Sequence, residues 1–143
     1  MLVFMLSSLA NAEVLVRAEL PAREFWIGQR VILKIEVLGD QGWSTVSRMG
    51  AIDVQGAYVL QNESQGTRLN ETIDGKSYSG QSYELSVFPQ VGGEIVIPPV
   101  SLEVVTRTWG EDSSEKLTRI KTPVASFVSK IPPGAEAIAG LVT

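Results

Sequence analysis

The acidic residues Glu111, Asp112 and Glu115 crowd into the stretch GEDSSEK, and a cluster of carboxylates raises the question of a cation. Calcium takes about six to eight oxygen ligands, commonly from a loop in which acidic residues alternate. This stretch lacks that alternation, so it reads as a solvated acidic loop. A carboxylate pair for glycosidic-bond cleavage needs two acids facing each other across a cleft. The chain has 16 acidic residues, so pairs of some kind are unavoidable and their positions along the sequence select none of them. Ser113 and Lys116 reproduce the letters of a Ser-x-x-Lys motif, but in a loop-type sequence. Lys34, Lys76, Lys121 and Lys130 have no such context at all. There is no His and no Cys. The usual general base near neutral pH, thiol nucleophiles, thiolate zinc sites and disulfides are therefore all excluded. The residue types argue for a protein without enzymatic chemistry and without a cofactor.

The elements that would carry any site must be held together by packing alone. The chain has 143 residues, 44% of them hydrophobic, enough for one domain with a sizeable core. A net charge of −4 without a Lys/Arg cluster argues against nucleic acid as a partner. Residues 1–12, MLVFMLSSLANA, form a short apolar run followed by the small-x-small step Ala10-Asn11-Ala12. That pattern predicts an export leader cleaved before Glu13. The alternative is an apolar N-terminal strand or buried helix. The run is shorter than the about 20 residues needed to span a bilayer.

From residue 14 the pattern is strand after strand. VLVRAEL alternates and ends at Pro21. After a bend at Gly28, Val31, Leu33, Ile35 and Val37 point one way, while Arg30, Lys34 and Glu36 point the other, with Ile32 among them. A period of two rich in β-branched residues marks a half-buried strand. Residues 43–62 are less regular, with short strands expected over 52–54 and 57–60. Asp74-Gly75 then sits between alternating runs and predicts a two-residue turn with positive φ at both positions. That register pairs Ile73 with Lys76, Glu71 with Tyr78, and Leu69 with Gly80. Its polar tip is expected to project into water. Residues 83–88 form the next strand. Gly92-Gly93 supplies a turn, from which 94–97 is expected to return antiparallel. Pro98-Pro99 stops the ladder and carries the chain into the facing sheet as 100–106. A last strand covers 117–128, interrupted at Pro123. Residues 130–143 look like a linker toward a further domain.

These signals imply an all-β, antiparallel Ig-like β-sandwich of about seven to nine strands over residues 13–129. Two surface features are candidates for recognition. One is the hairpin, with Asp74, Gly75 and Tyr78. The other is the loop around Trp109. Trp26 reads as a cap on the core, whereas Trp43 and Trp109 follow turns and are candidates for exposure. Exposed aromatics on a sandwich also fit a carbohydrate-binding module, the main alternative function. Sheet edges are a third resource, because an unpaired edge accepts a partner strand.

The ordered segments EFWIGQRVILKIEV, IDGKSYSGQSYELSVFPQVGGEIVIPPVSLEV and SKIPPGAEAIAGLVT resemble the N-terminal domain of the BatD, or oxygen-tolerance, family. The matching features are Gly28 leading the second strand, then Tyr83, Pro89, Gly92-Gly93 and Ile97-Pro98-Pro99. The resemblance implies a non-catalytic interaction or scaffold module in the periplasm. Its partners would be proteins: von Willebrand factor A-type membrane proteins of the same aerotolerance operon and, indirectly, a MoxR-type ATPase. Membrane attachment would come from an anchor found in longer family members. The resemblance transfers no catalytic residues.

Overall fold

The structure is a computed structural model that describes residues 2–7, 14–40, 42–61, 66–108 and 115–133. Every regular element among them is a strand: β1 (Leu2–Ser7), β2 (Val14–Leu20), β3 (Glu24–Trp26), β4 (Val31–Gly39), β5 (Trp43–Met49), β6 (Ala57–Gln61), β7 (Thr67–Ile73), β8 (Lys76–Pro89), β9 (Gly93–Ile97), β10 (Ser101–Arg107), β11 (Glu115–Lys121) and β12 (Ala125–Lys130). The chain is all-β, and its curled sheets form a β-sandwich. Nine strands run in the order β1-β2-β4-β8-β5-β10-β11, with β6 and β7 also paired to β8. The other three form a small sheet, β3-β12-β9.

The alternation read from the sequence sets the core. Val31, Leu33, Ile35 and Val37 of β4 are buried, as are Val16, Ala18 and Leu20 of β2 and Leu85 and Val87 of β8. They pack with Phe25, Ile95, Ile97, Ala125 and Phe127 of the small sheet and with Leu102 and Val104 of β10. Phe25 and Phe127 meet edge to face, with ring centroids 5.4 Å apart. Such contacts add to the area these rings remove from water.

The large sheet is nearly divided in two. β5 meets β8 through the single parallel pair Trp43↔Ser79. The phenolic oxygen of Tyr83 in β8 reinforces that junction by accepting a hydrogen bond from the Val46 backbone N–H at 2.9 Å. Ser44 and Thr106 share a buried hydroxyl–hydroxyl bond of 2.8 Å one layer further on.

The Pro-Pro step passes the chain between sheets, as its chemistry requires. β9 belongs to the small sheet and β10 to the large one. Pro123 does the same in the opposite sense, between β11 and β12. The two crossings are one feature. Ser101 lies opposite Lys121, and Ile97 lies opposite Ala125, in the same uninterrupted register. Residues 93–107 and 115–129 are thus two arms of one antiparallel ribbon, folded across the core where Pro99 falls opposite Pro123. Pro has no N–H, so the ladder cannot continue through that point. Just beside it, Thr122 N–H donates to the Val100 carbonyl at 2.9 Å, and Val100 N–H donates to Thr122 Oγ1 at 2.8 Å.

Four expectations need correction. The Gly92-Gly93 turn does not fold β9 back onto β8. β9 pairs with β12 instead, because the turn carries the chain to the other sheet. Residues 52–54 form no strand, although Val54 is buried in the core. β5 was hidden in the irregular stretch, because its ladder partner β10 lies far away in sequence. The sandwich has twelve strands among the described residues, eleven of them starting within 13–129, because the three-residue β3 and the successive β8 partners β7 and β6 count separately. Leu2–Ser7, part of the residues 1–12 read as a leader, lies antiparallel along residues 15–20 of β2, with Leu2 opposite Leu20 and Ser7 opposite Leu15.

Thr122→Val should lower unfolding free energy by about 1–3 kcal/mol, because it leaves the buried Val100 N–H without an acceptor. Thr122→Ser should retain most of that stability. Urea denaturation of the two variants measures the difference.

Candidate functional site

The Asp74-Gly75 turn forms as its sequence demands. Asp74 has φ 51° and Gly75 φ 82°, and the pairs Ile73↔Lys76, Glu71↔Tyr78 and Leu69↔Gly80 are all present. Asp74 and Gly75 are exposed. The flanks behave differently from expectation. Tyr78 is only 5% exposed and packs with Leu15 of β2 and Leu38 of β4, with Leu69 and Ile73 of β7 against them. It is therefore a core residue of a second, smaller cluster and not a contact surface. Lys76 at the tip pairs with Asp40 at 3.6 Å. The hairpin does not stand free in water. Only its two turn residues match the projecting tip that was expected. Trp109 lies outside the described residues.

The hairpin is drawn onto the outer face of β2 and β4 by charge as well as by apolar contact. Arg17 of β2 is 9% exposed, and Glu36 of β4 is 5% exposed. Strand pairing puts them side by side, Arg17↔Glu36, on the face opposite the main core. Arg17 Nη2 lies 3.3 Å from Glu36 Oε2. Both terminal nitrogens of Arg17 also donate to the carboxylate of Glu71 in β7, Nη1 to Oε1 at 3.2 Å and Nη2 to Oε2. This two-pronged geometry is the strong form of an Arg–carboxylate pair. Gly80 of β8, which lies opposite Leu38 of β4 and Leu69 of β7, carries no side chain. A Cβ there would lie 1.7 Å from the Val37 carbonyl oxygen, so the close passage of β4 requires glycine.

The three charged groups do not share their environment equally. Burial disfavours the Arg17 cation, but the hydrogen bond it donates to Glu71 and the charges of Glu36, Glu71 and Glu19 outweigh it and push its pKa up. Burial raises the Glu36 carboxyl. Arg17 pulls it back, and the neighbouring Glu19 carboxyl adds to the rise. Arg17 lowers Glu71, mainly through the hydrogen bond and despite some burial. Arg17 Nε and Glu36 Oε1 are buried without a hydrogen-bond partner. The sequence showed Arg17 and Glu36 only as the polar half of two alternating strands. Nothing in it pointed to Glu71, because that contact depends on where the hairpin folds.

As chemistry, this arrangement is a lock. Each charge is engaged by its neighbours, and the apolar cluster closes over one side. A groove of about 380 Å³ opens elsewhere, at the register shift between Glu103 and Val104. Its one lining carboxylate, Glu103, is paired with Arg119 at 3.5 Å. Among the described residues, no group of three or more His, Cys, Asp or Glu side chains is placed to hold a metal ion. The tryptophans also differ from expectation. Trp26 is 45% exposed and does not cap the core, and Lys130 Nζ sits 4.6 Å from its ring centroid. Trp43 is half-buried, and the Arg68 guanidinium lies 3.7 Å over its ring. Arg68 thus covers one face of the ring on which a sugar would stack.

Stability across pH tests this reading. Glu71 is lowered when folded, so its contribution is fully present above the ordinary carboxylate range and is lost as pH falls through its folded pKa. Glu36 is raised, so the folded state holds its proton longer and stability declines as pH rises through that window. Glu71→Gln should weaken the fold at neutral pH and shrink the acid-side loss. Glu36→Gln should flatten the decline on the way to neutrality. Urea unfolding followed by tryptophan fluorescence from pH 3 to 8 reads both slopes.

A family model described as the BatD DUF11 like domain matches residues 18–121. No curated protein and no solved structure matches the chain. The matched span runs from β2 to the end of β11 and takes in Arg17's neighbours, the turn at Asp74 and the Pro98-Pro99 crossing. It covers well over half of the chain, and on that ground the chain belongs to the BatD family.

Proposed function

We propose that this chain is a non-catalytic protein-interaction module that works outside the cytoplasmic membrane, as a scaffold within an aerotolerance system. The observation that carries the reading is the family match, which covers the sandwich body from residue 18 to residue 121. The leader-like residues 1–12 support export. A body made of strands tied by a folded ribbon and an ion-pair lock supports the scaffold part. It presents a fixed surface, and fixed surfaces lose little freedom on binding.

Two regions are offered for contact. The Asp74-Gly75 turn is exposed at the end of a hairpin whose flanks are anchored. The outer face of the small sheet exposes Trp26, Val96 and Val128, with Glu24 and Lys130 paired at 3.2 Å beside them. Exposed aromatic and aliphatic residues beside charged ones are the usual makings of an interface. The partners in this reading are von Willebrand factor A-type membrane proteins of the same operon, with a MoxR-type ATPase acting through them.

Affinity capture from detergent-solubilised cell envelopes tests it. Tagged wild-type chain should recover a von Willebrand factor A-type protein, and Trp26→Ala or Asp74→Asn, which keeps a residue suited to the positive φ of the turn, should reduce the recovery several-fold at unchanged stability. Capture of no such protein by the folded wild type would remove the proposed partner, and turnover of a small molecule would remove the non-catalytic assignment.

A further inference from the structure

β2 is built as an interior strand. Val14, Leu15, Val16, Ala18 and Leu20 are all buried, and so is Arg17, which leaves only Glu19 partly exposed. One face packs into the main core, and the other lies under the β7–β8 hairpin. Strands buried on both faces normally have a ladder neighbour on each side. β4 supplies one neighbour and Leu2–Ser7 the other, in six consecutive antiparallel pairs. β11, by contrast, is an edge strand guarded by Glu115, Lys116, Arg119 and Lys121. Charges of that kind discourage further pairing. β2 has no equivalent guard, because Arg17 is turned onto Glu36 and Glu71.

The same residues 1–12 carry the pattern of a cleaved export leader. Removing them would leave β2 with a bare row of backbone donors and acceptors beside an apolar face. We infer that the β2 edge is a strand-acceptor site, and that Leu2–Ser7 occupies the place taken in the processed protein by an extended segment of a partner. This deepens the interaction reading above and rests on it. The segment runs antiparallel to β2 and places the apolar residues Leu6, Phe4 and Leu2 opposite Val16, Ala18 and Leu20 in register. Backbone hydrogen bonds would supply affinity and the alternate side chains specificity. The occupant is a partner polypeptide in preference to a second β2. Leu2–Ser7 is uncharged throughout, whereas a second β2 would bring another Arg17 and Glu19 to the seam.

The test uses the exported chain as cells release it. N-terminal sequencing and intact mass should show a start at Glu13. A soluble peptide carrying LVFMLS between lysine flanks should then bind the processed chain. It should slow amide exchange in Val14–Leu20 by roughly tenfold or more, the range expected when an open ladder is closed. The same peptide with prolines in place of its adjacent Phe and Met should do neither, since one of two successive residues must supply a ladder donor. A chain that keeps residues 1–12 would overturn both this inference and the exported reading. A start at Glu13 with no protection by the peptide would overturn this inference alone. A concentration-dependent dimer that protects the same amides would overturn the partner assignment in favour of a second copy.

Discussion

Two arms of one ribbon cross the core together, and much of the molecule depends on that crossing. A strand that leaves one sheet for another must abandon its ladder hydrogen bonds at the point of departure. Buried backbone groups left without partners are costly. Prolines reduce the problem, because Pro98, Pro99 and Pro123 have no N–H to satisfy. Thr122 resolves what remains by bonding Val100 through both its backbone and its hydroxyl. The register is therefore the same on both sides of the fold, and Phe127, Ile95 and Ile97 on the small-sheet side of the crossing meet Leu102 and Val104 on the large-sheet side within one apolar core.

A second constraint acts on the opposite face. A sheet with an apolar face on each side must cover both, and the β7–β8 hairpin covers part of the outer one. Its grip combines Leu69, Ile73 and Tyr78 with the Arg17 carboxylate pairs. Buried ion pairs are weak sources of net stability, since desolvation offsets most of the attraction. They are better at specifying position: an unpaired Arg17 would be costly, so the hairpin is favoured in the one place where Glu71 reaches it. The lock fixes the orientation of the Asp74-Gly75 turn, which ties the electrostatics of the outer face to any recognition done there.

These two devices bear on how such a chain can serve as an interaction module. A sandwich without disulfides has only packing, ladder bonds and a few ion pairs to keep its surface in place. Stiffness then depends on how completely each strand is flanked. β4 is flanked by β8 along its whole length and by β2 over residues 34–39, and β8 has β4 on one side over 79–87 and β7 and β6 in succession on the other. β2 is flanked by the N-terminal strand, and among the described residues β11 has β10 alone, with charges along its seven residues. The places where flanking is conditional are where the fold has something to offer another chain.

Much was written plainly in the residues. Alternating Val31, Leu33, Ile35 and Val37 could only be a strand with one face in a core, and Asp74-Gly75 could only close a tight hairpin, because both are decided by neighbours a few bonds away. The Pro-Pro step announced a change of sheet for the same reason. What the residues could not announce was pairing at long range. β9 joined β12 and not β8, β5 emerged from an irregular stretch, and Tyr78 turned inward. Arg17 found Glu71, 54 positions away. Local chemistry limits each segment to a conformation, but a strand accepts any edge of suitable pattern. The choice among edges is made by which arrangement buries both apolar faces at once, and that exists only in the assembled molecule.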